Sequence, residues 1–341
     1  SMRSSCSDAG PPDPPPPGTM AKKRAKEPKQ QQAAQGAGST GGTTGPVIPR
    51  WMPATIFVAL TLWLFRAFVF TEQMLLGGDT LSLGYVARAF YATVLKGGGF
   101  PAWNPQILGG TPFLEALSGG DSLYPPSAFL LFFLEPYRAL GWKLVLHGLA
   151  AGFFMYGWLR VLGGSRAPAL VAGGAYMLAP FYVTLVHPGH DGKMFVTALA
   201  PLLFWAVERH FVRVGLASFA SIGLIVALVL LTTHFQMAYF LFGGVGLYAI
   251  FRSVQIWRGG ATESEGGERP TRALAPAGLR FALFLGASIA GAAGAGVQFL
   301  PAADYVTEYS RRVQTTREAA GETGREWSSS WSIHPEEAMS Q

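Results

Sequence analysis

Charged residues are scarce in this sequence, since Asp, Glu, Lys and Arg together make up 13% of its 341 residues. Soluble domains carry about a quarter, and the deficit here accompanies a hydrophobic content of 50%. Cysteine is almost absent as well, and the single Cys6 excludes an intramolecular disulfide framework. The shortage of charge excludes an ordinary soluble domain and indicates an all-α polytopic membrane protein.

The first fifty residues differ in composition from the rest of the chain. They are rich in Pro, Gly, Gln, Ser and Lys and contain few apolar side chains. Such a segment cannot bury enough apolar surface to offset the entropy lost on ordering. We therefore expect residues 1–50 to form a disordered tail.

Long apolar runs dominate the remainder of the chain. A helix that crosses a bilayer needs about 20 apolar residues. Windows near that length lie at 52–70, 142–160, 167–186, 194–208, 214–233, 235–252 and 281–301. The run SIGLIVALVLLTT is apolar on every face, whereas a soluble helix alternates polar and apolar faces. The sequence predicts about seven transmembrane helices in a domain at 51–301.

Basic residues determine the predicted orientation, because Lys and Arg accumulate in cytoplasmic connections. If the chain changes side at each predicted crossing, its basic regions share one side of the membrane. These are the N-terminal tail, the arginines near 160–166 and 209–213, and a flexible loop at 253–279. We assign this side to the cytoplasm. The opposite side receives a loop at 71–141, a short loop at 187–193 and a segment at 302–341. We expect this last segment to begin a longer outer region. Orientation explains the net charge of +6, and we predict no nucleic-acid partner.

The first outer loop contains a second apolar pattern. The stretch TLSLGYVARAFYATVL carries apolar residues along one helical face, with Arg88 and Lys96 expected on the polar side. A helix of this kind lies in the membrane interface. Glycine and proline turns and two further short apolar pieces follow. The loop is therefore predicted to carry interfacial or re-entrant helices rather than another crossing.

A lone carboxylate, Asp79, follows the first predicted crossing in the stretch LLGGDTLS. One interpretation is a helix N-cap, in which the Asp side chain accepts hydrogen bonds from the first turn and contributes about 1 kcal/mol. The other is a catalytic base at the membrane edge, where Gly77 and Gly78 permit close approach of backbone or substrate. The two roles are compatible.

Two more polar groups lie in predicted outer connections. VHPGHDGKMF places His187, His190 and Lys193 in one short loop, either as a cationic pocket for phosphate or as solvated loop residues. Two histidines with one neighbouring Asp make a poor metal site, so we predict no metal. LLTTHFQMAYF places His234 and Gln236 within an apolar stretch. Polar groups there either face a cavity or satisfy the backbone of a tight turn.

A last candidate lies just beyond the final predicted crossing, in the stretch EYSRR. Arginine pairs bind phosphate oxygens through bidentate hydrogen bonds. Arg311 and Arg312 therefore either hold a phosphate or contact lipid headgroups only.

These stretches occur in an order that resembles a known family. GGDTLS, WNPQILGGTPFLE, LYPPS, HPGHDGKMFVTALAPLLF, THFQMAYF and SWSIHPEEA together resemble the bacterial YfhO-like membrane proteins, of the GT-C superfamily of glycosyltransferases. The resemblance implies a GT-C-like first outer loop and an enzyme of the bacterial cytoplasmic membrane. Such an enzyme moves a sugar from a polyprenyl-phosphate carrier to an extracytoplasmic glycan, lipid or protein. Family members are usually longer than this chain.

The resemblance also assigns the role of general base to Asp79. Displacement at the anomeric carbon needs a carboxylate that takes the acceptor proton and cations that hold the departing phosphate, and we expect inversion without a cofactor. His234 and Gln236 are expected to orient the carrier or the sugar. The candidates for holding phosphate are His187, His190, Lys193, Arg311 and Arg312.

Two other function classes fit the same composition. A catalytically inactive scaffold or accessory subunit would keep the fold without the chemistry. A transporter of a lipid-linked substrate would carry ionisable groups near the middle of its crossings. Because few such groups occur there, the sequence favours chemistry at the outer surface.

Overall fold

The computed structural model describes residues 48–75, 77–262 and 271–309, and these fold almost entirely into helices. Two π-helical segments, Thr80–Gly84 and Tyr305–Tyr309, continue neighbouring α-helices, and the strands β1 (Trp103–Asn104) and β2 (Thr111–Pro112) pair antiparallel. The twelve α-helices of the described residues are α1 Met52–Leu64, α2 Arg66–Val69, α3 Tyr85–Lys96, α4 Pro125–Phe133, α5 Pro136–Val161, α6 Arg166–Met177, α7 Pro180–Val186, α8 Asp191–Val212, α9 Leu216–Leu231, α10 Phe235–Thr262, α11 Thr271–Gly294 and α12 Gly296–Asp304.

Among the described residues, five segments are long and apolar enough to cross a membrane, which identifies a multi-pass membrane protein by helix length and hydropathy. They are Pro136–Val161, Arg166–Val186, Asp191–Val212, Phe235–Gly259 and Pro276–Gly294. Each overlaps one of the seven predicted windows. The other two windows coincide with shorter apolar helices, Met52–Leu64 and Leu216–Leu231.

Small residues bring the long helices close together. α5 packs against α6 and α8, and α9 packs against α8 and α11. A Cβ on Gly173 of α6 would lie 2.8 Å from the carbonyl oxygen of Gly152 on α5. Gly223 of α9 meets Gly291 of α11 in the same way. Glycine at such contacts permits the close packing typical of membrane helices.

The segment between α2 and α5 has a small apolar core of its own. Tyr91 of α3, Phe113 after β2, Leu131 of α4 and Ala139 of α5 are buried together. This core attaches α3 and α4 to the first turn of α5. We call the end of the bundle where these elements lie, with the α7–α8 and α9–α10 turns, the Asp79 end. The opposite end, with the α5–α6 and α8–α9 turns, is the Arg160 end.

Candidate functional site

Asp79 lies at the start of the π-helical segment, with an exposed carboxylate. Its backbone is helical, and its side chain makes no capping hydrogen bond, so the structure does not show the capping role considered above. The carboxylate instead lies 3.3 Å from Nε2 of His190, and 69% of the Asp79 side chain is exposed. π-helical turns are rare and often occur at functional sites.

Backbone contacts join the Asp79 segment to the α7–α8 turn. The N–H of Asp79 donates to the carbonyl oxygen of Pro188 at 2.9 Å. Gly189 adopts φ +92°, and a Cβ there would lie 2.5 Å from the backbone nitrogen of Thr80. Gly77 is equally constrained, since its Cβ would lie 2.5 Å from the Cα of Gly189. These glycines allow the two connections to touch, which sets Asp79 beside His190.

Lys193 determines which nitrogen of His190 carries the proton. Lys193 Nζ lies 3.2 Å from His190 Nδ1, and an ammonium group can only donate. Nδ1 must therefore accept, which leaves the proton on Nε2 to be donated to the Asp79 carboxylate. The three side chains form a polar chain from Lys193 through His190 to Asp79.

His234 also reaches this cluster, from the turn between α9 and α10. A Cβ on Gly192 would lie 3.4 Å from the Cβ of His234, so the turn packs on the start of α8. The Nδ1 of His234 accepts the backbone N–H of Met237 at 3.3 Å, which matches the turn-satisfying alternative. Burial and then the nearby positive charge of Lys193 lower the pKa of His234.

The remaining predicted site residues are more peripheral or undescribed. The side chains of His187 and Gln236 are exposed, and His187 contributes its carbonyl oxygen to the N–H of Gly78 at 3.4 Å. Arg311 and Arg312 lie outside the described residues. The structure therefore brings together Asp79, His190, Lys193 and His234.

A second group of charges lies beneath this cluster, and the sequence analysis did not predict it. Asp121 sits 2.7 Å from both Arg88 Nη2 and Lys143 Nζ, and the side chains of Asp121 and Lys143 are 2% and 0% exposed. Asp191 approaches Arg88 at 3.4 Å and Lys143 at 3.8 Å. Ser127 donates a further hydrogen bond to Asp121. We call Arg88, Asp121, Lys143 and Asp191 the buried charge cluster; two cations balance two carboxylates.

Burial and ion pairing shift the pKa values of Asp121 and Arg88 in opposite directions. Burial alone raises the pKa of Asp121, but the charges of Lys143 and Arg88, with hydrogen bonds from Lys143 and Ser127, outweigh it and hold that pKa below its usual value. Burial alone lowers the pKa of Arg88, and the charges of Asp121 and Asp191 reverse this and raise it. Both shifts favour the charged forms of Asp121 and Arg88.

Local backbone geometry makes room for the cluster. Gly120 adopts φ +56°, and a Cβ there would lie 2.7 Å from Nη2 of Arg88. Below the cluster, His147 Nδ1 lies 2.7 Å from the carbonyl oxygen of Lys143, and Tyr124 O–H lies 2.7 Å from His147 Nε2. The imidazole therefore donates through Nδ1 and accepts from the phenol. These bonds satisfy polar groups that lie within the apolar bundle.

The buried charge cluster corrects one expectation about a single residue. The sequence predicted Arg88 on the polar face of an interfacial helix. In the structure its guanidinium instead pairs with Asp121 in the buried charge cluster. The sequence Gly-Gly-Asp, followed by Thr or Ser and then Leu, occurs twice, at 77–81 and at 119–123. The first copy supplies the exposed Asp79 and the second supplies the buried Asp121. That repetition is a signal by which Asp121 could have been noticed, although it does not show which copy the fold buries.

The polar chain and the buried charge cluster meet at the first turn of α8. Asp191 faces the buried charge cluster, while its neighbours His190 and Lys193 face Asp79. The polar chain combines a carboxylate that can take a proton with an imidazole and an ammonium that can bind an anion. Comparisons with protein-family models, curated proteins and solved structures found no match to this chain.

Proposed function

We propose that this protein is a bacterial cytoplasmic-membrane glycosyltransferase that moves a sugar from a polyprenyl-phosphate carrier to an extracytoplasmic acceptor. The observation that carries the proposal is the exposed Asp79 carboxylate, 3.3 Å from His190, with Lys193 next in the polar chain. The resemblance of GGDTLS and HPGHDGKMF to GT-C sequences suggests the roles of these groups, a general base beside cations that bind phosphate. The Asp79 end is then the extracytoplasmic end.

The proposed reaction is a single displacement with inversion. The acceptor hydroxyl gives its proton to the Asp79 carboxylate as its oxygen bonds to the anomeric carbon of the sugar. The bond between that carbon and the carrier phosphate breaks, and its electron pair stays on the phosphate oxygen. Negative charge grows on this oxygen, so a nearby ammonium or imidazole N–H stabilises the transition state. Lys193 and His190 take this role, with Arg311 and Arg312 as further candidates.

The position of the polar chain suits a donor that is anchored in lipid. Asp79 and Lys193 lie at the ends of apolar helices, so the isoprenoid tail of a carrier would remain in hydrocarbon while its phosphate reached the polar groups. The buried charge cluster holds the start of α8 from beneath, because Asp191 contacts both Arg88 and Lys143. It therefore acts by positioning His190 and Lys193.

One observation favours a second candidate, a catalytically inactive scaffold or accessory subunit. Arg88 and Lys143, which lie closest to the polar chain from below, are already neutralised by Asp121 and Asp191. They contribute no net charge for a phosphate. A scaffold would need the fold that this cluster stabilises but not the exposed carboxylate.

Replacing Asp79 by Asn tests the proposal directly. The full chain, purified in detergent, would receive a radiolabelled polyprenyl-phosphate sugar and a panel of extracytoplasmic acceptors. Loss of the base should lower the rate of label transfer by about 10²–10⁴-fold, because Asn cannot accept the acceptor proton. Glu135→Gln is the matched control, since Glu135 is an exposed carboxylate near the same end, with only a 3.9 Å ion pair to Lys96.

The outcomes separate the two candidates. Transfer that is lost in Asp79→Asn and kept in Glu135→Gln supports the enzyme. Transfer that survives in both variants removes Asp79 as base. Donor that binds wild-type protein without any transfer favours the scaffold.

A further inference from the structure

A cavity at the Arg160 end, remote from the polar chain, has the features of a second binding site. Its volume is about 530 Å³, within the range of small-molecule sites, roughly 300–1,000 Å³. α8 and α9 form its walls. Leu202 and Ile225 line the side deeper in the bundle, and Arg209, Arg213 and Ser221 line the side at the helix ends.

The cavity contains two arginines, Arg209 and Arg213, for which the described part of the chain supplies no counter-charge. Arg209 lies in the last turn of α8, and Arg213 follows the end of that helix with an extended backbone; both line the cavity. Both are exposed. Within the described part of the chain neither guanidinium has a hydrogen-bond or ion-pair partner, and none of the described lining residues is acidic. The cavity therefore presents two positive charges that a ligand can neutralise.

The rim of the cavity places it at a lipid boundary. Val212, Val214 and Leu216, which surround the α8–α9 turn, are large apolar residues with exposed side chains. Exposed apolar side chains interleaved with exposed arginines match the transition from hydrocarbon to headgroups. Gly215 and Leu216, at the start of α9, also line the cavity.

We propose that this cavity binds an anionic phospholipid of the bilayer. The phosphate lies between Arg209 and Arg213, and an acyl chain lies against Leu202 and Ile225. A soluble anion would gain nothing from the apolar wall, and a zwitterionic lipid would bring its own cation beside the two guanidinium groups and leave their net charge unchanged. Basic pockets between membrane helices bind anionic headgroups on these grounds. The inference does not depend on the proposed glycosyl transfer.

The test compares lipid binding by wild type and by the double variant Arg209→Gln/Arg213→Gln. Full-length protein, delipidated in detergent, would be titrated with phosphatidylglycerol or phosphatidylcholine of identical acyl chains, and bound lipid would be counted by native mass spectrometry. Each arginine near a membrane surface contributes about 1 kcal/mol to anionic lipid binding. Wild type should prefer phosphatidylglycerol, and the double variant should bind it about thirtyfold more weakly.

Two further variants keep the result interpretable. Arg50→Gln/Arg160→Gln removes the same charge from exposed positions at the same end, neither of which lines the cavity, and should bind phosphatidylglycerol as wild type does. Ser221→Trp fills the cavity from an exposed position and should weaken binding of both lipids. Circular dichroism would verify that each variant is folded.

Four results would overturn the proposal. They are unchanged phosphatidylglycerol binding in the Arg209/Arg213 variant, an equal loss in the Arg50/Arg160 variant, equal wild-type affinity for phosphatidylcholine, and full displacement of the lipid by millimolar inorganic phosphate. The last would identify a site for a soluble anion.

Discussion

Asp121 is the residue on which the buried charge cluster depends most. Its carboxylate accepts hydrogen bonds from Arg88, Lys143 and Ser127, whereas Asp191 lies farther from both cations. Taking such charges out of water costs several kcal/mol per ion, and only close pairing offsets that cost. Removing Asp121 would leave two buried cations with one distant carboxylate.

We expect Asp121→Asn to lower the free energy of unfolding by about 3–5 kcal/mol, the usual result of breaking a buried ion pair from one side. Unfolding in mixed micelles, followed by circular dichroism, measures this change. The matched control is again Glu135→Gln, because the exposed Glu135–Lys96 pair contributes at most about 1 kcal/mol. Equal losses in the two variants would show that the cluster is not ionised as described.

The difference in the free energy of unfolding between wild type and Asp121→Asn should also depend on pH, which provides an independent check on the ion pairs of Asp121. The pKa of Asp121 is lowered in the folded protein, from about 3.9 in an unfolded chain, so the unfolded state binds more protons in acid. The stabilisation is complete above about pH 5 and declines as the pH falls below about 4. The gap between wild type and Asp121→Asn should therefore be constant from about pH 5 to 8 and narrow in acid. A difference in the free energy of unfolding that increased in acid would contradict the lowered pKa of Asp121.

At the scale of elements, the contact between the Asp79 segment and the α7–α8 turn decides the geometry of the candidate site. Gly189 allows this contact for two separate reasons, its φ of +92° and the absence of a Cβ that would strike Thr80. Gly98, after α3, shares the positive φ, at +78°, but a Cβ added to it would meet nothing within 4 Å. Comparing substitutions at Gly189 and Gly98 therefore separates the cost of backbone strain from the cost of the steric contact with Thr80.

Gly189→Ala should therefore be more destabilising than Gly98→Ala. Both variants carry the left-handed strain of about 1–2 kcal/mol, and Gly189→Ala adds an overpacking cost of about 1–3 kcal/mol. The displaced turn would also separate His190 from Asp79 and slow the proposed transfer. Unfolding midpoints and transfer rates of the two variants measure these effects. Identical behaviour would mean that the two connections are not in contact.

The elements show what the sequence could and could not predict. Every predicted crossing overlaps an apolar helix, because long apolar runs carry their own signal. The proximity of His190 and Lys193 could be predicted because the two residues are only three positions apart. The buried charge cluster was missed because Arg88 and Asp121 are 33 residues apart, and Arg88 and Asp191 are 103 apart. Local patterns do not indicate which of two similar Gly-Gly-Asp stretches the fold will bury.

At the scale of the whole molecule, the two short apolar helices determine the number of crossings. α9 has 16 residues and is about 24 Å long, less than a hydrocarbon core of about 30 Å. Yet Gly215, before α9, follows the end of α8, while His234, after α9, packs on Gly192 at the start of α8. α9 therefore returns the chain along the length of α8, and we predict that it crosses a membrane that thins locally around it.

Single-cysteine labelling tests this path through the membrane. In a Cys6→Ser background, cysteines would replace the exposed residues Gln106 and Gln236 at the Asp79 end and Ser165 and Gly215 at the Arg160 end. If α9 crosses, an impermeant maleimide added to intact cells should label positions 106 and 236 and spare 165 and 215, because an odd number of crossings separates the two ends. Permeabilised cells provide the control, since all four positions should then react. Protection of Gln236→Cys together with Gly215→Cys in intact cells would place both ends of α9 on one side of the membrane and would contradict its crossing, and the seven-helix topology with it.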